Sequence, residues 1–389
     1  MAVQGWDVAT QAEAIELLRR AVATKNEPEH ELYEQPIVDL YAGMMRDFGL
    51  EVEVIEGAPG RPSVVGRMRG SGGGRSVFFN GHLNSPSSLL ADWKTDPYEL
   101  TLIDGKLLGM GVSDLKAAII GMLFAARAIG RRGPRGDVII GLGAASEQGG
   151  LIGTKAIVDR GYRADVAIVG EPTDLEIVNC QRGAVWVNVH VRGRSGLSGG
   201  GVNAVHKAVR VAQAYIDLNR GFATRKDPVL GAPGLSVNII QGGHRISTVP
   251  NRCMLTIDRR SIPGETGEEV LAEIERVADE LRTEDPELDL TLEPRLSMPP
   301  LRSRAEDSLA VKVVSDAVRD VRGREPVIKG IRGFTEMVHL HEVGMDGVVC
   351  GPGNVDVIHA PNEYVTVEEL MHTIGLYTNV AARVTSMAK

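Results

Sequence analysis

The sequence predicts an α/β protein whose main domain is a mixed sheet with helices on both faces, and which carries a smaller inserted α+β domain. The 389-residue chain is too long for one core, because single cores stop growing near ~250–300 residues. In its first half, short buried-looking runs alternate with helical patterns, which is typical of a sheet covered by helices. After Gly183 the runs alternate apolar and polar residues, which indicates strands with one solvated face.

The elements of the main domain follow from the spacing of apolar residues. Helical spacing predicts helices over 8–24 and about 32–48, and a continuous apolar run predicts a buried helix over 115–131. Apolar and β-branched runs predict strands over 51–55, 63–68, 76–80, 137–142 and 164–169. After the inserted domain, the same patterns predict a helix at about 306–322, a strand at 347–350 and a final helix from about Val367.

The inserted domain is predicted from the order of its elements. A strand at 184–192 and a helix at about 203–219 are followed by strands at 235–241 and 252–259, a helix at 268–282 and a strand at 288–293. This β-α-β-β-α-β order matches the split βαβ, ferredoxin-like sandwich. We therefore expect residues 1–183 and 295–389 to form the main domain and residues 184–294 to form the inserted one.

Composition and charge exclude several classes of partner. The net charge is −8 and aromatic residues make up only 4%, so we expect no nucleic-acid partner. The longest apolar stretch, Ala117–Ala126, is about half of the ~20 residues that a membrane span needs, so we expect no membrane contact. Because the amino-terminal stretch lacks a secretory pattern and the cysteines are scattered, we expect a cytoplasmic protein with reduced thiols.

Metal-capable side chains are concentrated in four stretches, three of which follow closely on a predicted strand. They supply two His, one Asp and two Glu: His82, Asp114, Glu147, Glu171 and His359. Ligands of open α/β sheets bind outside the carboxyl ends of the strands, so we expect these side chains to converge there. Nitrogen and oxygen ligands of this kind suit zinc, manganese, cobalt or a similar divalent ion.

The wording and order of eight phrases identify a family resemblance. The phrases are GHLNS (81–85), WxxDPY (93–98), DGKLLGMGVSDLK (104–116), SEQGG (146–150), GEPT (170–173), DRRSIPGE (258–265), GPG (351–353) and HAPNEYV (359–365). With them the chain resembles the metallo-aminoacylase and exopeptidase family that includes acetylornithine deacetylase, succinyl-diaminopimelate desuccinylase and carboxypeptidase G. The resemblance implies a catalytic main domain with an inserted lid and dimerisation domain, and hence a homodimer or a higher multiple of dimers. The strand at 184–192 lies in this inserted domain, and we expect strand pairing there to bury an otherwise open edge in the dimer.

The resemblance also implies a role for each candidate residue. His82, Asp114 and Glu171 resemble one complete metal site, in which Asp114 resembles the carboxylate that bridges to a second metal. His359 resembles a ligand of that second metal, and Glu147 resembles the general base that acts on metal-activated water. In the inserted domain, Arg260 resembles the arginine that binds the carboxylate of the substrate.

Four departures from the family pattern change charge or polarity. Gln148 stands where the family has the carboxylate of the second metal, and Asn84 stands where it has an orienting aspartate. Leu197 replaces the histidine of the lid, and Glu336 replaces an aspartate. Because a neutral amide is a poorer ligand than a carboxylate, we expect one divalent ion (manganese, zinc or cobalt) per chain.

These observations predict a metal-dependent hydrolase of a C–N bond in a small, carboxylate-bearing substrate. The substrate is an N-acyl amino acid or peptide amide, or an aromatic amine such as 5-nitroanthranilate, which depends less on the oxyanion partner lost at Leu197. The alternative is a non-catalytic small-molecule or metal binding protein that kept the fold, but a pure binder has no use for the base Glu147. For His339 and His341 we favour a structural role, with contact to the substrate pocket as the alternative.

Overall fold

The computed structural model describes residues 7–26, 34–85, 92–146, 149–197, 200–303 and 307–389. The chain divides into two units. Unit 1 comprises Met1–Asn179, Ser303–Lys329 and Thr335–Lys389, and unit 2 comprises Cys180–Arg302 and Gly330–Phe334. The assignment of residues 184–294 to a lid and dimerisation domain stays a prediction.

Helices begin where side chains satisfy the free backbone N–H groups of the first turn. Asp7 caps the first helix by accepting from the N–H of Thr10, and Thr366 and Glu369 form a capping box at the last. In chain order the helices are α1 (Val8–Ala23), α2 (Gln35–Asp47), α3 (Ala117–Gly130), α4 (Thr154–Asp159), α5 (Ala204–Gly221), α6 (Gly267–Glu284), α7 (Leu309–Arg322), α8 (Met337–Glu342) and α9 (Val367–Ser386). Residues 32–33 and 306, which were predicted to lie in helices, fall outside the described residues.

The strands agree with the predicted runs to within a few residues and include several that the sequence did not reveal. In chain order they are β1 (Glu51–Ala58), β2 (Arg61–Met68), β3 (Val77–His82), β4 (Thr101–Ile103), β5 (Lys106–Leu108), β6 (Val138–Gly143), β7 (Val166–Val169), β8 (Ile177–Gln181), β9 (Gly183–Arg192), β10 (Gly234–Gly242), β11 (Arg252–Ser261), β12 (Asp289–Met298), β13 (Leu301–Arg302), β14 (Ile328–Ile331), β15 (Asp346–Val349) and β16 (Tyr364–Thr366). Among the unpredicted strands, β4, β5 and β16 are three residues each, too short to show a period.

A mixed sheet forms the centre of unit 1. Its strands follow the order β1-β2-β6-β3-β7-β15-β8. β3 runs parallel to both β6 and β7, whereas β2 runs antiparallel to β6. Every residue of β3, β6 and β7 is buried, as expected for parallel strands covered on both faces.

Helices cover both faces of this sheet, as the sequence predicted. α3, α7 and α9 pack together and contact the strands, whereas α4 packs against α8 in a separate layer. α3 carries apolar side chains all round and is buried along almost its whole length, which is expected of a helix inside a core. The predicted fold class is therefore confirmed. No helix in the described ranges is both long and apolar enough to cross a membrane.

Unit 2 has the predicted β-α-β-β-α-β order. Its strands form an antiparallel sheet in the order β10-β11-β9-β12, with α5 and α6 packed against it. Along β9, buried residues alternate with partly buried ones, so one face lies on the helices and the other carries polar groups.

The sequence had suggested that the strand at 184–192 supplies an open edge for dimer formation, and this is wrong. β9 pairs with β11 on one side and with β12 on the other. The outer strands of this sheet are β10 and β12. A strand pattern shows which face is buried but does not show a strand's position in the sheet.

Candidate metal centre

Parallel pairing of β3, β6 and β7 brings three of the predicted stretches to one edge of the sheet. Asn80 of β3 lies opposite Val169 of β7. His82 is two residues after Asn80, and Glu171 is two residues after Val169. His82 itself pairs with Gly143, the last residue of β6. All three stretches therefore emerge at the carboxyl ends of parallel strands, where ligands of open α/β sheets bind.

His82, Asp114 and Glu171 form a compact cluster at this edge. Nε2 of His82 lies 3.0 Å from Oδ1 of Asp114 and 3.5 Å from Oε1 of Glu171. One ligand atom from each residue lies within 4.8 Å of the other two, and the described residues contain no other such cluster. The side chains of His82 and Asp114 are buried, and that of Glu171 is only 17% exposed.

The backbone fixes the orientation of the His82 ring. Nδ1 of His82 lies 3.0 Å from the carbonyl oxygen of Asn84, which can only accept a hydrogen bond, so Nδ1 is the donor. With the proton on Nδ1, the lone pair of the neutral ring is on Nε2 and points to the carboxylates. The carbonyl of Asn84 thus orients His82, and the replacement of the family's aspartate by asparagine leaves this contact intact.

The protonation of the cluster is dominated by charges packed together away from water. Burial alone lowers the pKa of His82, but the carboxylates of Asp114 and Glu171 outweigh it and raise the pKa to about 10. Burial, opposed by His82, and the neighbouring Asp114 raise the pKa of Glu171 well above its usual value. Two buried carboxylates therefore require a positive charge between them if both are to ionise.

A small sheet positions Asp114. β5 pairs antiparallel with β16, so that Leu108 lies opposite Tyr364 and the loops that adjoin these residues leave the same end. The buried carboxylate of Glu363 accepts hydrogen bonds from the backbone N–H groups of Gly111, Ser113 and Asp114, at 3.0, 2.7 and 2.9 Å. Burial is the main cause that raises the pKa of Glu363 to about 7. Glu363 was quoted in a family phrase but received no role from the sequence.

His359 reaches the other oxygen of Asp114. Its Nε2 lies 3.0 Å from Oδ2, so the Asp114 carboxylate meets one histidine at each oxygen. The hydrogen bond to Asp114 is the main cause that raises the pKa of His359, and the side chain is 61% exposed. The backbone of His359 is left-handed, with φ 57°, a strained conformation that is common at functional sites.

Glu147 and Gln148 lie outside the described residues, but the residues on either side, Ser146 and Gly149, both form hydrogen bonds. On one side, the backbone N–H of Ser146 donates to Oδ1 of Asn84 at 3.0 Å. On the other, Nε2 of the buried His339 lies 2.7 Å from the carbonyl of Gly149 and donates to it. The favoured structural role of His339 thus has a partner, whereas the role of Glu147 stays a prediction.

Arg260 lies in unit 2, on the polar face of the sheet. Its Nε and Nη2 donate to Asp258, and its guanidinium lies 5.4 Å from the ring centre of Phe334. Asp258 also accepts from Nε1 of Trp186 at 3.1 Å. Leu197, which the sequence predicted to replace a lid histidine, is 82% exposed.

The chemistry of the donor set fits a divalent cation. One imidazole nitrogen with its lone pair directed at two carboxylates is a ligand set used by zinc, manganese and cobalt. A bound cation supplies the positive charge that the buried carboxylates of Asp114 and Glu171 require. Metal ligands are usually oriented by hydrogen bonds from neighbouring groups. Such hydrogen bonds are present here between Nδ1 of His82 and a backbone carbonyl, and between Glu363 and three backbone N–H groups of the loop that carries Asp114.

Comparison with known proteins agrees with this geometry. Residues 80–383 match the family model described as peptidase family M20/M25/M40. The chain is 30% identical over 365 residues to an acetylornithine deacetylase of Myxococcus xanthus, with 89% of this chain and 91% of the relative covered. It is 27% identical over 362 residues to the N-formyl-4-amino-5-aminomethyl-2-methylpyrimidine deformylase of Bacillus subtilis, with 85% and 84% covered.

A solved structure shares the fold. An M20 family metallo-carboxypeptidase from Sulfolobus solfataricus superposes with a TM-score of 0.81 at 16% identity, covering 98% of this chain and 100% of that one. The family match extends over well more than half of the chain, and the two relatives hydrolyse C–N bonds of amides according to their names. The chain therefore belongs to the peptidase family M20/M25/M40 and is a metal-dependent hydrolase of C–N bonds.

Proposed function

We propose that this protein hydrolyses the amide bond of an N-acyl amino acid or a similar small, carboxylate-bearing amide. The observation that carries the proposal is the cluster of His82, Asp114 and Glu171 at the carboxyl edge of the sheet, with its ligand atoms within 4.8 Å of one another. The deacetylase and deformylase relatives support an acyl group as the part removed. Nothing in the fold or in these relatives favours a non-catalytic binding protein.

The cluster is proposed to hold one divalent ion of manganese, zinc or cobalt, with His359 on the far oxygen of Asp114. Such an ion supplies Lewis acidity, which lowers the pKa of water and polarises the scissile carbonyl. Glu147 takes the proton as the water oxygen attacks the carbonyl carbon, and passes it to the nitrogen when the C–N bond breaks. Gln148, a neutral amide, is the reason for proposing a single ion rather than two.

Arg260 is proposed to bind the carboxylate of the substrate. Asp258 takes the Nε and Nη2 donors of its guanidinium, while Nη1 makes no hydrogen bond to a described residue. Because the lid histidine is replaced by Leu197, an aromatic amine such as 5-nitroanthranilate is the second candidate substrate. In that reaction the negative charge that develops spreads into the nitro-bearing ring, so the reaction depends less on an oxyanion partner.

The assembly and location belong to the same proposal. We propose a homodimer or a multiple of dimers that associates through unit 2, whose outer strands β10 and β12 each leave one edge without a partner strand in the described chain. A cytoplasmic location is supported by the cysteines, since Cys180, Cys253 and Cys350 are all free and buried.

A substrate screen tests the proposal. Protein freed of metal with a chelator is reloaded with manganese, zinc or cobalt and incubated with N-acetyl and N-formyl amino acids, dipeptides and 5-nitroanthranilate, and release of the amine or ammonia is measured. We expect metal-dependent hydrolysis of at least one N-acyl amino acid. Hydrolysis of the anthranilate alone would select the second candidate, and no hydrolysis with any metal would contradict both.

A further inference from the structure

Unit 2 contains a cluster of arginines in which positive charge exceeds negative charge. Arg182 precedes β9, Arg260 lies near the end of β11, and Arg332 follows β14. The backbone N–H of Arg182 donates to the carbonyl of Ile331 at 3.3 Å, which places the segment before Arg332 beside Arg182. The segment continues to Phe334, whose ring lies under the guanidinium of Arg260.

The strand β10 also borders this cluster. Gly234, at the start of this strand, lies opposite Arg260. A Cβ atom built on Gly234 would lie 3.9 Å from Nη1 of Arg182. Arg182 and Arg260 therefore both lie beside the same backbone position of β10.

Two of these three arginines have no carboxylate partner among the described residues. Nη2 of Arg182 donates only to the neutral carbonyls of Leu230 and Ala232, at 2.7 and 2.6 Å. Its Nε is buried and has no hydrogen-bond partner in the described chain. Arg332 is exposed and forms no ion pair with a described residue.

The neighbouring charges do not compensate this excess. The acidic groups nearby are already paired with other arginines or with Arg260: Glu265 and Glu273 with Arg259 and Arg225, Asp227 with Arg302, and Asp258 with Arg260. Burial is the main cause that lowers the pKa of Arg182, and Arg332, Arg260 and Arg259 add to it, against Asp227. A buried N–H donor without a partner costs free energy unless a ligand or water accepts from it.

We propose that Arg182, Arg260 and Arg332 form a binding site for a ligand with two carboxylates, and that the substrates are N-acyl derivatives of dicarboxylic amino acids. Guanidinium groups bind carboxylates in paired hydrogen bonds, and three of them at one place exceed what a single carboxylate requires. Identification of the ligand as the substrate rests on the proposed function, whereas the binding site itself does not.

Binding of two matched ligands tests this site without depending on turnover. Succinate and butyrate have the same number of carbons and differ by one carboxylate. Their dissociation constants are measured by calorimetry at fixed ionic strength with wild-type protein. We expect succinate to bind at least about ten-fold more tightly, since one additional charge-assisted contact is of that order. Equal affinities would overturn the proposal.

Variants assign the additional contact. Arg332→Gln should lose about ten-fold in succinate affinity and leave butyrate unchanged, and because Arg332 is exposed this variant is expected to fold. Arg182→Lys, which keeps the charge, should retain more of the preference than Arg182→Gln. Arg192→Gln is the control, since Arg192 is an exposed cation at the other end of β9, about 30 Å along the strand from Arg182.

The outcomes separate this inference from the proposed function. A succinate preference that survives both Arg332→Gln and Arg182→Gln would refute the site. Hydrolysis of N-acetyl-glutamate and N-acetyl-glutamine is measured on the same preparations, and we expect the glutamate compound to be preferred. Intact succinate binding with no hydrolysis of any amide would contradict the proposed function and leave the binding site standing.

Discussion

Glu363 offers a sharp test of how the metal centre is built. Its carboxylate is the shared acceptor for three backbone N–H groups of the loop that carries Asp114: Oε1 accepts from Ser113 and Asp114, and Oε2 accepts from Gly111. Glu363→Gln keeps the shape of the side chain but replaces one oxygen with an amino group. That group is a donor, so it faces at least one N–H without accepting from it.

The magnitude follows from the hydrogen bond that this substitution removes. In the best orientation, the amide oxygen keeps the hydrogen bonds of Oε1, and the hydrogen bond from Gly111 is replaced by two donors that face each other. Removing one hydrogen bond to a charged, buried acceptor costs about 1.5–3 kcal/mol. Part of this cost is expected as lower stability and part as weaker metal binding, for which an outer hydrogen bond is worth about 10–100-fold in affinity.

The assay is competition for zinc or manganese with a coloured chelator, together with thermal unfolding of the same sample. Glu368→Gln is the matched control, because it makes the same chemical change five residues along the chain at an exposed helix start. We expect weaker metal binding in Glu363→Gln and wild-type binding in Glu368→Gln. The reasoning is refuted if Glu363→Gln binds metal as tightly as the control.

Three further predictions concern the ligands, the base and a buried ion pair. His82→Ala should abolish metal binding and His359→Ala should weaken it less, as measured by elemental analysis after dialysis; equal losses would indicate a two-metal centre. Glu147→Gln should keep its metal and lose at least about 10²-fold in turnover, and a metal-loaded variant with near-wild-type turnover would show that another group is the base. In unit 2, burial opposes ionisation of Glu265, but the hydrogen bond and charge of Arg259, together with hydrogen bonds from the backbone N–H of Ile262 and from Arg225, outweigh it and lower the pKa of Glu265. The stability from this pair is therefore present above the unfolded-state pKa near 4.5 and is lost as pH falls through the lower folded-state value. Glu265→Gln should cost about 1–2 kcal/mol near pH 7, and this difference from wild type should shrink in thermal melts below about pH 4.5; a difference independent of pH would contradict the assignment.

The sequence was sufficient to predict the parts of the site that follow buried strands. The strand that ends at His82 and the strand before Glu171 are apolar runs with clear ends, and parallel pairing brings their carboxyl ends together without further information. The buried helix α3 was predicted for the same reason, since its apolar residues form one continuous run.

The parts that the sequence did not reveal depend on pairing between distant short segments. Glu363 reaches the loop of Asp114 because β5 and β16 pair, and each of these strands is only three residues long. A single strand pattern also cannot tell a central strand from an edge strand, which is why the position of β9 was misjudged. The partner of Arg260, in contrast, was predictable from the sequence. Residues two apart on one strand face the same side, so Asp258 is expected beside Arg260, although it was not predicted as its partner.

Turnover as a function of added metal tests the central claim most directly. Metal-free protein is titrated with manganese or zinc, and hydrolysis of an N-acyl amino acid is followed for the wild type and for His82→Ala. A hydrolase that acts through one ion held by His82, Asp114 and Glu171 predicts that turnover rises with metal and reaches its plateau at one equivalent per chain, and that His82→Ala stays inactive throughout. A plateau at two equivalents, or equal turnover in His82→Ala, would contradict the account.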